Sequence, residues 1–316
     1  MQFRTELKIE ESKFKIEHHD ALFFMGSCFA ENIAEKSHLL LFNTCINPHG
    51  ILYNPKSIAI AIREYCTQKK YKEDDLFFYD NWWHSWNHHS RFSNADINCC
   101  LENINNNLSI AFNFLKKSKF LFITLGSAFI YKYIKSNSYV ANCHKVPNKE
   151  FVKELLTIES IICDLQSAIN DLNYLNKEIK IIFTVSPVRY IRDGIVENTL
   201  SKARLLESVH QLCNINKNCY YFPAYELIMD DLRDYRFFKE DLVHPSEMAI
   251  NYVWEKFSKS LFSNQCLNII KEIEEIAKAE NHQPRNINSK SYLSFKKNIE
   301  EKKQKLSSMF PYINFN

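Results

Sequence analysis

Short apolar runs that each stop at a turn-forming residue constrain the fold of this 316-residue chain more than any other feature. The runs cover residues 21–25, 39–42 with 45–46, 120–125, 179–185 and 220–222. They stop at Gly26, at Asn47-Pro48-His49-Gly50, at Gly126, at Ser186-Pro187 and at Pro223. Their lengths and their content of Ile, Phe, Val and Thr are typical of buried strands rather than helices.

Helical patterns separate these runs. The clearest is an apolar stripe with steps of three and four from Phe151 to Leu172, which predicts one long helix. Such a stripe is compatible with a coiled-coil seam, but it is more often a helix lying on a sheet. Weaker helical patterns cover residues 27–40 and 199–213. Alternation of strands and helices predicts an α/β fold with a mainly parallel sheet, and such sheets bind ligands at the carboxyl ends of their strands.

The chain changes character at about residue 264. We predict a main domain over 1–263, with an aromatic and His-rich insertion around 71–100, and a helical C-terminal extension over 264–316. Amphipathic patterns at 269–280 and 295–306 flank a polar connector at 281–291. The lysines of the second pattern alternate with glutamates, so an exposed helix face is favoured over a site for an acidic partner. The apolar end is predicted to pack back onto the body.

Glycine is scarce. The chain contains four glycines, Gly26, Gly50, Gly126 and Gly194, where average usage of about 7% would give about 22. No two of them lie closer than 24 positions. Phosphate-binding loops with two or more closely spaced glycines are therefore excluded, and no nucleotide cofactor is predicted. The remaining glycines are candidates for positions that need a positive φ or a close backbone approach.

The overall charge and the cysteines narrow the class of protein further. The formal net charge is +3, too small to indicate a nucleic-acid partner. No apolar run approaches the length of a membrane span, which is about 18 residues. The first twenty residues are charged and do not resemble a signal peptide. Ten cysteines without a Cys-x-x-Cys pair predict reduced thiols in the cytoplasm and no metal site.

Ser27 stands where the first strand should end and a helix should begin. A glycine turn at this point projects a hydroxyl above the sheet, near helix N–H groups that stabilise negative charge. Taken alone, a serine after a strand is more often an ordinary helix N-cap. The sequence alone leaves both interpretations open.

A second reactive segment follows in Asp241-Leu242-Val243-His244-Pro245-Ser246. An aspartate three residues before a histidine can orient the imidazole and stabilise its positive charge, so that the imidazole accepts a proton from a serine. A lone Asp-x-x-His is also a frequent coincidence. Its meaning depends on whether the fold brings it to Ser27.

Together the two segments resemble the GSCFA family, named for the motif Gly-Ser-Cys-Phe-Ala that stands here at 26–30 and similar to the SGNH (GDSL-like) hydrolases. Further matching blocks lie at 47–55, 88–92, 124–128, 142–147, 184–189 and 232–237, and they lead into Asp241-x-x-His244. The resemblance extends over nearly the whole chain. It implies a three-layer α/β/α sandwich, with Ser27 as nucleophile, His244 as general base and Asp241 as its orienting partner.

The resemblance also implies an oxyanion hole, and here the chain departs from the pattern. The similar hydrolases combine the N–H of the nucleophile, a glycine N–H and an asparagine side chain. Gly50 matches the glycine. The expected Gly-x-Asn-Asp would fall at Gly126-Ser127-Ala128-Phe129, which contains no asparagine. We predict that Asn142 or His144 supplies the missing donor and that Gly126 lies beside the substrate.

Two further features are candidates for substrate binding. The Trp- and His-rich segment at 82–89 could form an aromatic wall around a substrate, pack as part of an insertion, or hold a metal through His84 and His88, which we consider the weakest alternative. Arg189 could bind a carboxylate or phosphate, or form a structural ion pair.

The sequence therefore predicts a cytoplasmic serine hydrolase that acts on small-molecule or glycan acyl esters through an acyl-enzyme. The alternatives are an O-acyltransferase on the same scaffold and a ligand-binding protein with weak catalysis. The missing asparagine favours the binding protein, whereas Ser27, Asp241 and His244 together favour the enzyme.

Overall fold

Five parallel strands form the central sheet of the computed structural model, which describes residues 4–282 and 289–315. Their spatial order is β10 (Cys219–Tyr221), β9 (Lys180–Val185), β5 (Phe120–Leu125), β1 (Leu22–Gly26) and β2 (Thr44–Ile46). All neighbours pair in parallel, so the carboxyl ends of the five strands lie at one edge. The mainly parallel sheet is confirmed, except that residues 39–42 form a helix end and a turn, with a φ of 62° at Leu41.

Side chains alternate between the two faces of the sheet and build two cores. Phe23 and Met25 point into the first core, which lies beneath α2 (Pro55–Cys66), α3 (Ile97–Leu115), α4 (Ile158–Leu175) and α5 (Ile195–Ile215). Leu22 and Phe24 point into the second, beneath α1 (Cys28–Leu39), α6 (Ala224–Glu226) and α7 (Glu247–Leu261). Helices therefore cover both faces, and the three-layer α/β/α sandwich is confirmed.

The helix predicted from Phe151 to Leu172 is wrong in its first part. Residues Phe151–Leu155 form strand β8, and α4 begins after Thr157, whose hydroxyl accepts a hydrogen bond from the Ser160 N–H at 3.2 Å. Phe151 and Leu155 are four residues apart, a spacing that fits one face of a strand as well as one face of a helix. β8 joins β6 (Phe129–Tyr133) and β7 (Ser138–Val140) in a small antiparallel sheet of order β7-β6-β8, and β3 (Phe77–Tyr79) pairs with β4 (Trp82–His84) in a separate antiparallel hairpin.

The C-terminal region adds two helices to the second core. They are α8 (Asn264–Glu280) and α9 (Lys290–Met309). Ile313 of the apolar end is 2% exposed, and it lies in the same core as Leu306 of α9 and Ile273 of α8. The predicted polar connector at 281–291 lies mostly outside the described residues. Within the described ranges, no helix is long and apolar enough to cross a membrane.

Candidate active site

Gly26 and Ser27 form the turn between β1 and α1. Gly26 has a φ of 129°, and a Cβ placed on it would lie 2.2 Å from the carbonyl oxygen of Thr124 on neighbouring β5. Only glycine fits so close to that strand. The Gly26 N–H donates to Asn47 Oδ1 at 2.9 Å, which ties the turn to the loop after β2. The position of Ser27 is therefore set by the sheet itself.

The Ser27 side chain does not act as a helix cap. Its residue is 1% exposed, and its Oγ forms no hydrogen bond with any residue that the structure describes. It makes no side-chain cap contact with α1, although the Ser27 carbonyl accepts from the Ala30 N–H at 2.8 Å. A buried hydroxyl without a partner costs free energy, which favours a role in binding or chemistry over a structural one.

Ser27 opens onto a cavity of about 230 Å³ at the carboxyl edge of the sheet. Loops that follow β1, β2, β5 and β9 form its base, and the small antiparallel sheet forms a wall. Its lining is largely apolar and aromatic, and comprises Ser27, Cys28, Tyr53, Asn54, Gly126, Ser127, Phe129, Tyr131, Val140, Ala141, Asn142, Cys143, Ser186, Val188, Arg189 and Tyr190. A concave apolar site with a few polar groups is typical of small-molecule binding.

Asp241 and His244 form a hydrogen-bonded pair, as their spacing predicts. Asp241 Oδ2 lies 2.7 Å from His244 Nδ1, and Asp241 Oδ1 accepts from the backbone N–H groups of Val243 and His244, both at 2.9 Å. The N–H of His244 and then that of Val243 contribute most to lowering the pKa of Asp241 to about 2, and the His244 side chain adds to them. The carboxylate is thus charged at neutral pH and holds the His244 imidazole in one orientation.

The loop that carries this pair is attached to the rim of the cavity through Arg189. The Arg189 N–H donates to the Val243 carbonyl at 3.4 Å, and its guanidinium lies 4.4 Å from the ring centre of Phe238. The His244 side chain is 44% exposed and does not line the cavity of Ser27, and no hydrogen bond joins the two side chains. The structure therefore assembles two parts of the predicted triad and leaves the contact with Ser27 open.

Two of the predicted oxyanion donors do not face the cavity. The Gly50 N–H donates to the Asn47 carbonyl at 2.7 Å, and a Cβ on Gly50, with its φ of 80°, would lie 2.1 Å from His89 Cβ. Gly50 is thus needed for a turn and a close contact. His144 is buried with Nε2 at 2.8 Å from the Ser85 carbonyl, and burial lowers its pKa to about 4.

Gly126 and Asn142 do line the cavity. The Gly126 N–H already donates to the Tyr53 carbonyl at 2.8 Å, so Gly126 contributes close packing beside Ser27 rather than a donor. Asn142 accepts the His144 N–H at 2.8 Å through its Oδ1. Of the predicted donors, Asn142 alone has an amide on the cavity wall.

Family models match most of the chain. A model of the GSCFA family matches residues 21–257, and a model described as the GSCFA domain protein, C-terminal domain, matches residues 273–316. The chain belongs to the GSCFA family. Both the Ser27 turn and the Asp241–His244 loop lie inside the first matched range.

Other comparisons are more distant. Curated protein sequences give no match to this GSCFA chain. A solved structure of a Clostridium thermocellum family 3 carbohydrate esterase is similar at 14% sequence identity and a TM-score of 0.29. The alignment covers 50% of the GSCFA chain and 62% of the esterase chain, so it spans less than two thirds of that protein.

Lys202 is a site residue of this GSCFA protein that the sequence pattern does not indicate. It lies on α5 with 2% exposure, and its Nζ donates to the carbonyls of Gly126 at 2.6 Å and Ser186 at 2.7 Å. It thereby joins the loops after β5 and β9 beneath the cavity. Burial lowers the pKa of Lys202 to about 7. A lysine in an amphipathic helix normally indicates a solvent-exposed face, so no local signal reveals this position.

The Trp- and His-rich segment supports the cavity wall from behind. Trp86 stacks on Phe77 with ring centres 3.6 Å apart, and its carbonyl accepts from the Ala141 N–H at 2.8 Å, next to Asn142. No tryptophan belongs to the lining of the cavity. His88 stacks on His49 of the loop after β2 with ring centres 4.1 Å apart, and the described residues contain no cluster of three or more His, Cys, Asp or Glu side chains that could hold a metal ion. Packing is therefore the role that the structure supports for this segment.

Proposed function

We propose that this protein is a serine hydrolase of carboxylic esters, with Ser27 as nucleophile, His244 as general base and Asp241 as the group that orients His244. The observation that carries the proposal is the buried, unbonded Ser27 hydroxyl in a ligand-sized cavity, beside a loop that holds a formed Asp–His pair. A hydroxyl and an oriented imidazole are the two components that nucleophilic catalysis by serine requires.

In the proposed reaction, the Asp241–His244 loop closes until His244 Nε2 lies within about 3 Å of the Ser27 hydroxyl oxygen. Proton transfer between the two groups requires this distance. His244 accepts the hydroxyl proton while Oγ attacks the ester carbonyl, and Asp241 stabilises the imidazolium. The imidazolium then protonates the leaving alcohol, which leaves an acyl group on Ser27. A water molecule, deprotonated by His244, hydrolyses this acyl-enzyme in the same way.

Cys28 and Cys143 also line the cavity, and burial disfavours both as nucleophiles, since it raises the pKa of the Cys143 thiol to about 11. Burial, followed by the negative charge of Glu31, raises the pKa of the Cys28 thiol. Because the thiolate is the reactive form of cysteine, Cys28 is held in its unreactive state at neutral pH. We therefore assign the nucleophile to Ser27.

The cavity is small and lined by rings such as Phe129 and Tyr131, so we propose that it takes a short acyl group from a small-molecule or glycan ester. We also propose a cytoplasmic location, since all ten cysteines are unpaired.

A fluorophosphonate probe tests the proposal because it reacts with activated serines. We expect stoichiometric labelling of the wild type, none for Ser27→Ala and strongly slowed labelling for His244→Ala. Ser118→Ala is the matched control, since Ser118 is also buried but precedes β5 at the opposite edge of the sheet. Well-folded wild type that stays unlabelled, or Ser27→Ala that is labelled normally, would contradict the proposal.

A further inference from the structure

The backbone donors of an SGNH-like oxyanion hole are occupied in this protein. The Ser27 N–H donates to the Thr124 carbonyl at 3.1 Å, and the Gly50 N–H donates to the Asn47 carbonyl at 2.7 Å. An ester hydrolase nevertheless needs donors directed at the oxygen that becomes negative in the transition state. The donor must therefore be a group that reaches the cavity beside Ser27 and is not already bonded.

Residues 52–54 lie next to Ser27 across the ends of β1 and β5. The Leu52 N–H donates to the Gly26 carbonyl at 3.0 Å, and the Tyr53 carbonyl accepts from Gly126 N–H at 2.8 Å. A Cβ on Gly126 would lie 3.3 Å from both Ser27 Cβ and Tyr53 Cβ, so these two side chains flank the same glycine. Asn54 is the next residue along the chain, and it lines the same cavity.

The amide of Asn54 has its orientation fixed by the helix that it caps. Asn54 is the N-cap of α2, and its Oδ1 accepts from the Ser57 N–H at 2.8 Å. Since a backbone N–H needs an acceptor, the oxygen of the amide must face the helix and the NH₂ group must face away from it. Asn54 is 5% exposed, and its Nδ2 forms no hydrogen bond with the residues that the structure describes.

We infer that the Asn54 Nδ2 group is the oxyanion donor of the proposed hydrolase, in place of the asparagine that is missing after Gly126. The inference rests on the proposed function. In the tetrahedral intermediate, the former carbonyl oxygen carries the negative charge and accepts the hydrogen bond from Nδ2, and the Asn54 amide neither gains nor loses a proton. Asn142 is the rival donor, but it is held by a short loop that contacts Trp86 rather than the Ser27 turn.

Two substitutions separate the donor from the cap. Asn54→Ser and Asn54→Asp both keep an oxygen that can cap α2, so the thermal unfolding midpoint should stay close to that of the wild type. Both lose the amide donor, and we expect kcat to fall by about 10²–10³-fold on a short-chain ester with little change in KM. Asn54→Asp should be the slower of the two, because its carboxylate repels the oxyanion.

The matched control is Asp96→Ser. Asp96 caps α3 through the Cys99 N–H at 2.9 Å and does not line the cavity, so this change of cap should leave kcat unaltered. An active wild type with Asn54→Ser within about threefold of its kcat overturns the inference alone. A loss of kcat in Asn142→Ala, with Asn54→Ser unaffected, also overturns it. A wild type that neither hydrolyses esters nor reacts with a fluorophosphonate overturns the proposed function, and the inference with it.

Discussion

Lys202 allows a quantitative prediction of how stability depends on pH. Its Nζ is bonded to the Gly126 and Ser186 carbonyls, and among the described residues no carboxylate pairs with it. Burial lowers its pKa from the ordinary 10.5 to about 7. Between these two values the unfolded chain binds a proton that the folded chain has lost, so the free energy of unfolding rises with pH in this window.

The size of the effect follows from the two pKa values. At about 1.4 kcal/mol per pH unit, the difference between 10.5 and about 7 corresponds to about 5 kcal/mol in total. Because Lys202 is half protonated near pH 7, about 2 kcal/mol of this should be recovered between pH 7 and pH 8.5. The remainder would be recovered at higher pH, where thiols and tyrosines also titrate, so the measurement is made between pH 7 and pH 8.5.

The assay is equilibrium urea unfolding of the wild type and Lys202→Met, under reducing conditions, at several pH values from 7 to 8.5. Methionine keeps an apolar stem of similar length but has no ionisable group. Titrating groups shared by the two proteins cancel in the difference. We expect the wild type to gain about 2 kcal/mol more than the variant over this range, at equal m-values. Parallel stability profiles would refute the reasoning, since they would mean that the Lys202 pKa is not lowered by burial.

Two further predictions concern the site. Asp241→Asn removes the charge that orients His244 and should lower kcat by up to about 10⁴-fold on a short-chain ester, with an unchanged circular dichroism spectrum; a kcat within tenfold would contradict its role. Gly26→Ala should cost more than about 2 kcal/mol in urea unfolding, because its Cβ would meet the Thr124 backbone. Gly194→Ala is the comparison: its φ of 106° is also positive, but among the described residues its Cβ meets only the movable Glu197 carboxylate, so equal losses would contradict this explanation.

The sequence predicts the sheet well because its signals are local. Buried strands of the parallel sheet are short apolar runs, and Gly26 and Gly126 stand at the ends of β1 and β5, as the turn signals indicate. The boundary between β8 and α4 could not be predicted from such local signals. The spacing of Phe151 and Leu155 fits the period of a strand as well as that of a helix. The cap at Thr157 places the start of the helix after this segment, but it is recognised only in the structure.

The candidate site was predictable only where its residues lie close together in the chain. Asp241 and His244 are three residues apart, so their spacing predicts their contact, and the structure forms it. Lys202 donates to the Gly126 carbonyl 76 positions away, and the residues next to Lys202 in the sequence do not indicate that contact. Gly50 matches a family motif, but its N–H donates to the Asn47 carbonyl within the same turn. The motif alone therefore could not show whether this N–H is an oxyanion donor.

The central claim is that Ser27 carries the acyl group during turnover. The most direct measurement is rapid mixing of the wild type with p-nitrophenyl acetate, followed by an acid quench and mass spectrometry of the intact chain and its peptides. We predict one acetyl group per chain, on the Ser27 hydroxyl, and none in Ser27→Ala. An acetyl group on Cys28 instead, or ester hydrolysis that persists in Ser27→Ala, would contradict the account.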